Sequence, residues 1–127
     1  TPASMAATLG QLGRTPAGRR IAVLGAMKEL GAHSDRFHAE LAAPLRAAGV
    51  DFALLVGEEM AALAAELGKP AADALGKTVA FAHCANVEEA VETLGGFGLR
   101  GNDAVLVKGS NSVGLSSLVS ALTNQEG

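Results

Sequence analysis

A short run of Gly, Ser and Asn directly after a strand-length apolar stretch is a place where an anion finds donors. Residues 108–114 form such a run. Lys108-Gly109-Ser110-Asn111-Ser112-Val113-Gly114 follows Ala104-Val105-Leu106-Val107 and leads into the helical spacing Leu115, Leu118, Val119, Leu122. A turn of this kind leaves backbone N–H groups at a helix N-terminus, which favour an anion. Ser110 and Ser112 add hydroxyl donors and Lys108 adds positive charge, so a carboxylate or a phosphate would be held there. The competing reading is that a serine only caps the helix, a role Ser favours, while Lys108 is solvated. A second unusual strand end is Val23-Leu24-Gly25-Ala26-Met27-Lys28-Glu29-Leu30-Gly31. It lacks the G-x-G-x-x-G dinucleotide fingerprint. From spacing alone it reads as a loop with glycines for geometry and Lys28–Glu29 as an exposed ion pair of little energetic value.

Other chemistry is excluded or weak. Gly76-Lys77-Thr78 looks like the end of a phosphate-binding P-loop, but the first glycine of that motif would fall on Ala71, and the tripeptide precedes a strand instead of following one. His33 and His38 stand five apart, not the four that place two metal ligands on one helix face. His38 is expected on a helix, facing solvent or the loop above the first strand, with a structural role favoured over a ligand role. His83-Cys84 has no acidic partner nearby in sequence and is given no catalytic role. A phospho-acceptor receiver domain needs an acidic pair after its first strand, where this chain has Gly25, Ala26 and Met27.

The elements that must carry these loops follow from periodicity. Continuous apolar runs at Ile21–Leu24, Phe52–Val56, Val79–Ala82 and Ala104–Val107 read as strands covered on both faces. Between them the i, i+3, i+4, i+7 pattern recurs at Met60, Leu63, Ala64, Leu67 and at Val87, Ala90, Val91, Leu94. Phe37, Leu41 and Leu45 repeat it more loosely, with Pro44 placed to kink the helix. Met5, Leu9 and Leu12 mark an opening helix, Thr1-Pro2 its start, and Asn86 with Glu89 a capping arrangement. Gly95-Gly96-Phe97-Gly98-Leu99-Arg100-Gly101 reads as a helix exit and the turn into the last strand. The expected class is α/β, a Rossmann-like, doubly wound and mostly parallel sheet with helices on both faces.

Composition sets the outer bounds. At 127 residues the chain fits one domain, expected to span residues 1–127, and its four aromatic residues are all Phe, so Ala, Leu and Val must fill the core. The net charge is −3 with the ten basic residues scattered, which speaks against nucleic acid and against an anionic membrane surface. No apolar run reaches the ~20 residues of a membrane span. A single cysteine, Cys84, excludes an internal disulfide and fits a reducing, cytoplasmic setting. A chain that opens on a helix start points to a cut at a domain boundary.

At its two strand-end loops the sequence resembles the Mur ligases, and among them the members that add D-alanyl-D-alanine. The likeness lies in Arg20-Ile21-Ala22-Val23-Leu24-Gly25-Ala26-Met27-Lys28-Glu29-Leu30-Gly31, in Ser34-x-x-x-His38-x-x-Leu41, in Val105-Leu106-Val107-Lys108-Gly109-Ser110-Asn111-Ser112 and in the opening Pro2-Ala3-Ser4-Met5. It spans nearly the whole chain. The resemblance implies the third, C-terminal domain of a three-domain cell-wall enzyme, with the N-terminal UDP-substrate domain and the central ATP-binding domain outside this chain. It implies ATP and Mg2+ as cofactors held mainly by that central domain. The implied substrates are D-alanyl-D-alanine and a UDP-N-acetylmuramoyl-tripeptide activated as an acyl phosphate. Carried over by position, Lys108, Gly109, Ser110 and Asn111 would face the dipeptide, with Ser110 as carboxylate donor. The Met27-Lys28-Glu29-Leu30-Gly31 loop would lie at the same cleft, with Met27, Glu29, Leu30 and Gly31 as its site residues. Ala26 stands where the family usually has Asp, and Asn111-Ser112 where many members have Arg-Gly. No catalytic residue and no metal ligand is expected in this chain, and alone it is expected to be inactive.

Three rival readings remain open on sequence: a stand-alone Rossmann-like module for a small anion or nucleotide, the C-terminal domain of a folylpolyglutamate synthetase, and a structural domain with inert loops. Glu29-Leu30-Gly31 together with Lys108-Gly109-Ser110 favours the cell-wall enzyme.

Overall fold

In a computed structural model that describes residues 1–70, 78–110 and 112–126, the apolar runs form one parallel sheet. Its strands are β1 (Arg19–Gly25), β2 (Phe52–Val56), β3 (Ala80–Cys84) and β4 (Asp103–Lys108). They lie in the order β3-β2-β1-β4. The helices are α1 (Pro2–Gly13), α2 (Ser34–Ala39), α3 (Ala42–Ala47), α4 (Ala61–Leu67), α5 (Val87–Phe97) and α6 (Ser112–Glu126), with short 3-10 turns before α2 and α4. The expected Rossmann-like, doubly wound class is what forms.

Strand alternation divides the core. Ala22, Leu24, Ala53 and Leu55 face one layer, with Met5, Leu9 and Leu12 of α1, Leu45 of α3 and Leu63 and Leu67 of α4. Ile21, Val23, Leu54 and Val56 face the other, with Ala90 and Leu94 of α5 and Leu115 of α6. The chain steps from β1 to β2 to β3 in one direction, then jumps back across both to pair β4 with β1. Right-handed crossovers therefore put α3 and α4 on one face and α5 on the other. Each fully buried Leu contributes about 1.5–3 kcal/mol, so the paired layers carry most of the stability.

Two local expectations need correcting. Only β1 and β2 are fully covered on both faces; β3 is an edge strand with Ala80 and His83 exposed, and β4, the other edge strand, is half-buried along its length. Both edge strands still pack on both layers, through Phe81, Ala104 and Leu106 on one and Ala82, Val105 and Val107 on the other. Secondly, Pro44 accompanies a full break between α2 and α3, because proline offers no N–H to the Glu40 carbonyl one turn earlier. Gly76 and Lys77, of the tripeptide that looks like the end of a P-loop, lie outside the described residues. Other signals are realised as read: Thr1 accepts the Ser4 N–H at 3.1 Å. Asn86 accepts the Glu89 N–H at 2.9 Å, while Glu89 accepts that of Ala85 at 2.7 Å.

At the amino end of the β1–β4 pair, register sets Arg19 opposite Asp103. The guanidinium donates to both carboxylate oxygens, at 2.7 Å and 2.6 Å, and to the Gly98 carbonyl at 2.8 Å. It also lies 4.6 Å over the Phe97 ring, which stacks on Phe52. Asp103 additionally accepts the Arg100 N–H at 2.7 Å. The Arg19 hydrogen bonds, outweighing burial, hold the Asp103 carboxyl below its ordinary 3.8. A lowered folded-state pKa means that this stabilisation is present above the unfolded value and lost as pH falls through the folded one. Asp103→Asn should therefore cost about 2–3 kcal/mol at pH 7, with the gap to the parent narrowing below about pH 4. Urea unfolding at neutral and acid pH measures both.

Candidate functional site

The clefts lie at the carboxyl ends of the strands, where open parallel sheets bind ligands. After β1 the chain departs towards the α1–α3–α4 layer, and after β4 it departs towards the α5–α6 layer. Between these departures the two loops touch through their backbones. The Ser110 N–H donates to the Ala26 carbonyl at 2.8 Å. A Cβ on Gly109 would stand 2.4 Å from the Gly25 carbonyl oxygen, and one on Gly25 would stand 2.8 Å from that of Ser110. Gly109 also has φ = 124°, outside what other residues readily adopt. Both glycines are thus required for the approach that the hydrogen bond locks.

Clefts open on either side of this junction. One, of about 380 Å3, runs across the ends of β1, β2 and β3 between Gly25, Val56 and Ala85, with Lys28 and Ser110 at its edge. The other, of about 330 Å3, is lined by Thr1, Met27, Lys28, Val107, Lys108, Gly109 and Ser110. Ser110 and Lys28 border both. The second cleft offers the Ser110 hydroxyl and the Lys28 and Lys108 ammonium groups around a half-buried main-chain corner, suited to a carboxylate or another small anion, whereas the first also carries the Glu59 carboxylate.

The structure places the expected site residues unequally. Lys108, Gly109 and Ser110 do meet at the second cleft. Asn111 lies outside the described residues. The Ser110 amide is occupied by Ala26, which corrects the expectation that it is free for an anion; its hydroxyl is the group to consider. Met27 lines the cleft, yet its side chain is buried in the core beside α2 and α4. Glu29, Leu30 and Gly31 border neither cleft. Glu29 has φ = 63° and Gly31 has φ = 55°, and Leu30 packs partly against the core. Lys28 and Glu29 are both exposed and form no ion pair with each other, so that reading is also corrected.

Lys28, expected at the cleft as part of the loop after the first strand, lines both clefts; sequence reasoning missed Ala26, whose contribution is a carbonyl and therefore leaves no mark in residue type. It also left open where His38 faces. His38 is fully buried, not solvent-facing. Its Nε2 accepts the Met27 N–H at 2.9 Å. Its Nδ1 lies 2.8 Å from the Ser34 carbonyl. His83 is exposed, with Nε2 2.7 Å from the Gly57 carbonyl. Among the described residues no group of three or more His, Cys, Asp or Glu is arranged to hold a metal, and no helix is long and apolar enough to cross a membrane.

Comparison with known proteins identifies the fold and the family. Residues 1–111 match the glutamate ligase domain of the Mur ligases. The chain is 38% identical over 119 residues to a UDP-N-acetylmuramoyl-tripeptide–D-alanyl-D-alanine ligase of Synechocystis sp., a match covering 94% of this chain and 24% of that protein. Its fold is similar to the crystal structure of the MurF ligase of Thermotoga maritima in complex with ADP, with a TM-score of 0.68 and 25% identity. That likeness covers 96% of this chain and 25% of that one. The chain thus spans about a quarter of the length of these relatives.

Gly109→Ala should destabilise the chain by at least about 1–3 kcal/mol from backbone strain alone, with the clash against Gly25 added. Gly98→Ala is the control: φ = 80° there, with open space around the added carbon, so only the conformational cost applies. Equal losses for the two variants in chemical denaturation would mean that the loops do not touch.

Proposed function

The chain belongs to the Mur ligase family through its glutamate ligase domain, and from that premise we propose that it is the domain presenting D-alanyl-D-alanine in a cell-wall precursor ligase. In this reading residues 1–127 are one C-terminal domain. The parent enzyme joins the dipeptide to a UDP-N-acetylmuramoyl-tripeptide through an acyl phosphate, in the cytoplasm. The sequence identity to a ligase of that name, over nearly the whole chain, supports the reaction. The observation that carries the role of this domain is the Gly25–Gly109 junction, which sets Ser110 and Lys108 at a cleft beyond the strand ends.

A dipeptide has a carboxylate to anchor and an amine that must stay free to attack. Ser110 Oγ is the proposed hydroxyl donor to the carboxylate, and the Lys108 and Lys28 ammonium groups supply its counter-charge. Gly109 lets the backbone come close enough to place that hydroxyl. Met27 contributes through its main chain, while Glu29, Leu30 and Gly31 shape the loop beyond. Asn111 remains part of the proposed contact set by its position in the family's motif.

ATP and Mg2+ do not fit the residues present. The sequence has no G-x-x-x-x-G-K-[ST], and the described residues offer no three-ligand metal cluster. Both cofactors are assigned in this proposal to the other domains.

Two outcomes follow. In the parent ligase, Ser110→Ala should raise KM for D-alanyl-D-alanine roughly ten- to hundredfold, the ~1.5–3 kcal/mol of a hydrogen bond to a charged group, and leave KM for ATP nearly unchanged. An unaltered dipeptide KM removes Ser110 from the site. The 127-residue chain alone should release no phosphate from ATP with both substrates present; release above a heat-killed control refutes the assignment of ATP to other domains.

A further inference from the structure

The peptide unit joining Ala26 to Met27 is held at both of its polar atoms. Its oxygen accepts the Ser110 N–H at 2.8 Å, and its N–H donates to His38 Nε2 at 2.9 Å. His38 is the buried polar or charged side chain among the described residues, with no solvent exposure at all. Its partners fix its proton. A backbone N–H can only donate, so Nε2 carries the lone pair; the Ser34 carbonyl, 2.8 Å from Nδ1, can only accept, so Nδ1 carries the hydrogen. Ser34 Oγ, 3.2 Å from the same nitrogen, completes the surroundings.

We propose that His38 is a positioning residue for Ser110, acting from α2 through the Ala26–Met27 peptide. The inference rests on the reading of Ser110 as the dipeptide's carboxylate donor. A peptide plane is stiff, so the ring that fixes its N–H also fixes the direction of its C=O, and hence the amide of Ser110. Hydrogen bonds joined in this way polarise one another in a low-dielectric interior. If the ring served only to fill space, an apolar side chain of similar size would do as well, and the Met27 amide would lose its acceptor. The arrangement explains why a polar ring sits beside a layer of apolar side chains, mostly Leu, Met and Ala. It also makes Ser34 and His38 part of the support for the cleft, although neither lines it.

The wild-type chain offers a direct test. Long-range proton–nitrogen spectra at neutral pH should show His38 protonated at Nδ1 alone, with coupling across the N–H···N bond from the Met27 amide to Nε2. His38→Gln, whose side-chain oxygen can reach the position of Nε2, should keep the Met27 bond; His38→Leu keeps bulk and loses it. Ser110 amide hydrogen exchange should quicken at least about fivefold in His38→Leu and stay near wild type in His38→Gln. In the parent ligase, KM for D-alanyl-D-alanine should rise with His38→Leu while kcat holds, and His38→Gln should restore it. An Nε2–H or doubly protonated ring, or unchanged Ser110 exchange in folded His38→Leu, overturns the proposal. Should His38→Leu fail to fold, the tautomer and the coupling in the wild type decide alone. If the spectra and exchange behave as expected but neither His38→Leu nor Ser110→Ala shifts the dipeptide KM, the positioning stands and the dipeptide reading falls.

Discussion

At the carboxyl end of the β1–β4 pair two main chains lie closer than any side chain would permit. Gly25 and Gly109 face each other where an added carbon would overlap carbonyl oxygen, and Ser110 closes the contact by donating to Ala26. The rest of the site depends on this approach. It brings a loop bound for one helix layer against a loop bound for the other, at the place where the winding of the sheet reverses. The crevice expected at such a switch point is thereby split into two clefts that share Ser110 and Lys28.

The same strand pair is fixed at its other end by different chemistry. Arg19 and Asp103 pair through two nearly parallel hydrogen bonds, with Asp103 almost fully buried and Phe97 beneath the guanidinium. A charge pair can serve there because the geometry is bidentate and the remaining carboxylate capacity is taken by the Arg100 amide. One end of the pair is therefore held by side chains and the other by backbone. That division keeps side chains out of the Gly25–Gly109 contact itself and places the Arg19–Asp103 ion pair about the length of β1 away.

The fold was largely legible in the sequence because its signals are side-chain periodicities. Ile21–Leu24 and Phe52–Val56 read as strands, and Met5-Leu9-Leu12 as a helix face, through burial patterns that the structure repeats. Lys108, Gly109 and Ser110 were legible as a strand-to-helix loop with donors. What stayed hidden is made of main-chain atoms. No residue type announces that the Ala26 carbonyl will take the Ser110 amide, nor that the Met27 N–H will find His38 eleven positions later. Family likeness placed Glu29, Leu30 and Gly31 at the cleft; in this chain they line neither cleft, and Glu29 and Gly31 have positive φ. The left-handed conformation of a glutamate is not a preference that sequence can declare.

Membership of the Mur ligase family and the geometry of the junction converge on one element, the corner formed by Ala26–Met27 and Gly109–Ser110. Its direct test is a titration of the isotope-labelled chain with D-alanyl-D-alanine, following every backbone amide and using L-alanyl-L-alanine as the control. The account predicts saturable shifts concentrated at Met27, Lys28, Lys108, Gly109 and Ser110, larger for the D,D than for the L,L dipeptide. Shifts centred elsewhere on the surface, or none at those five amides, would contradict it.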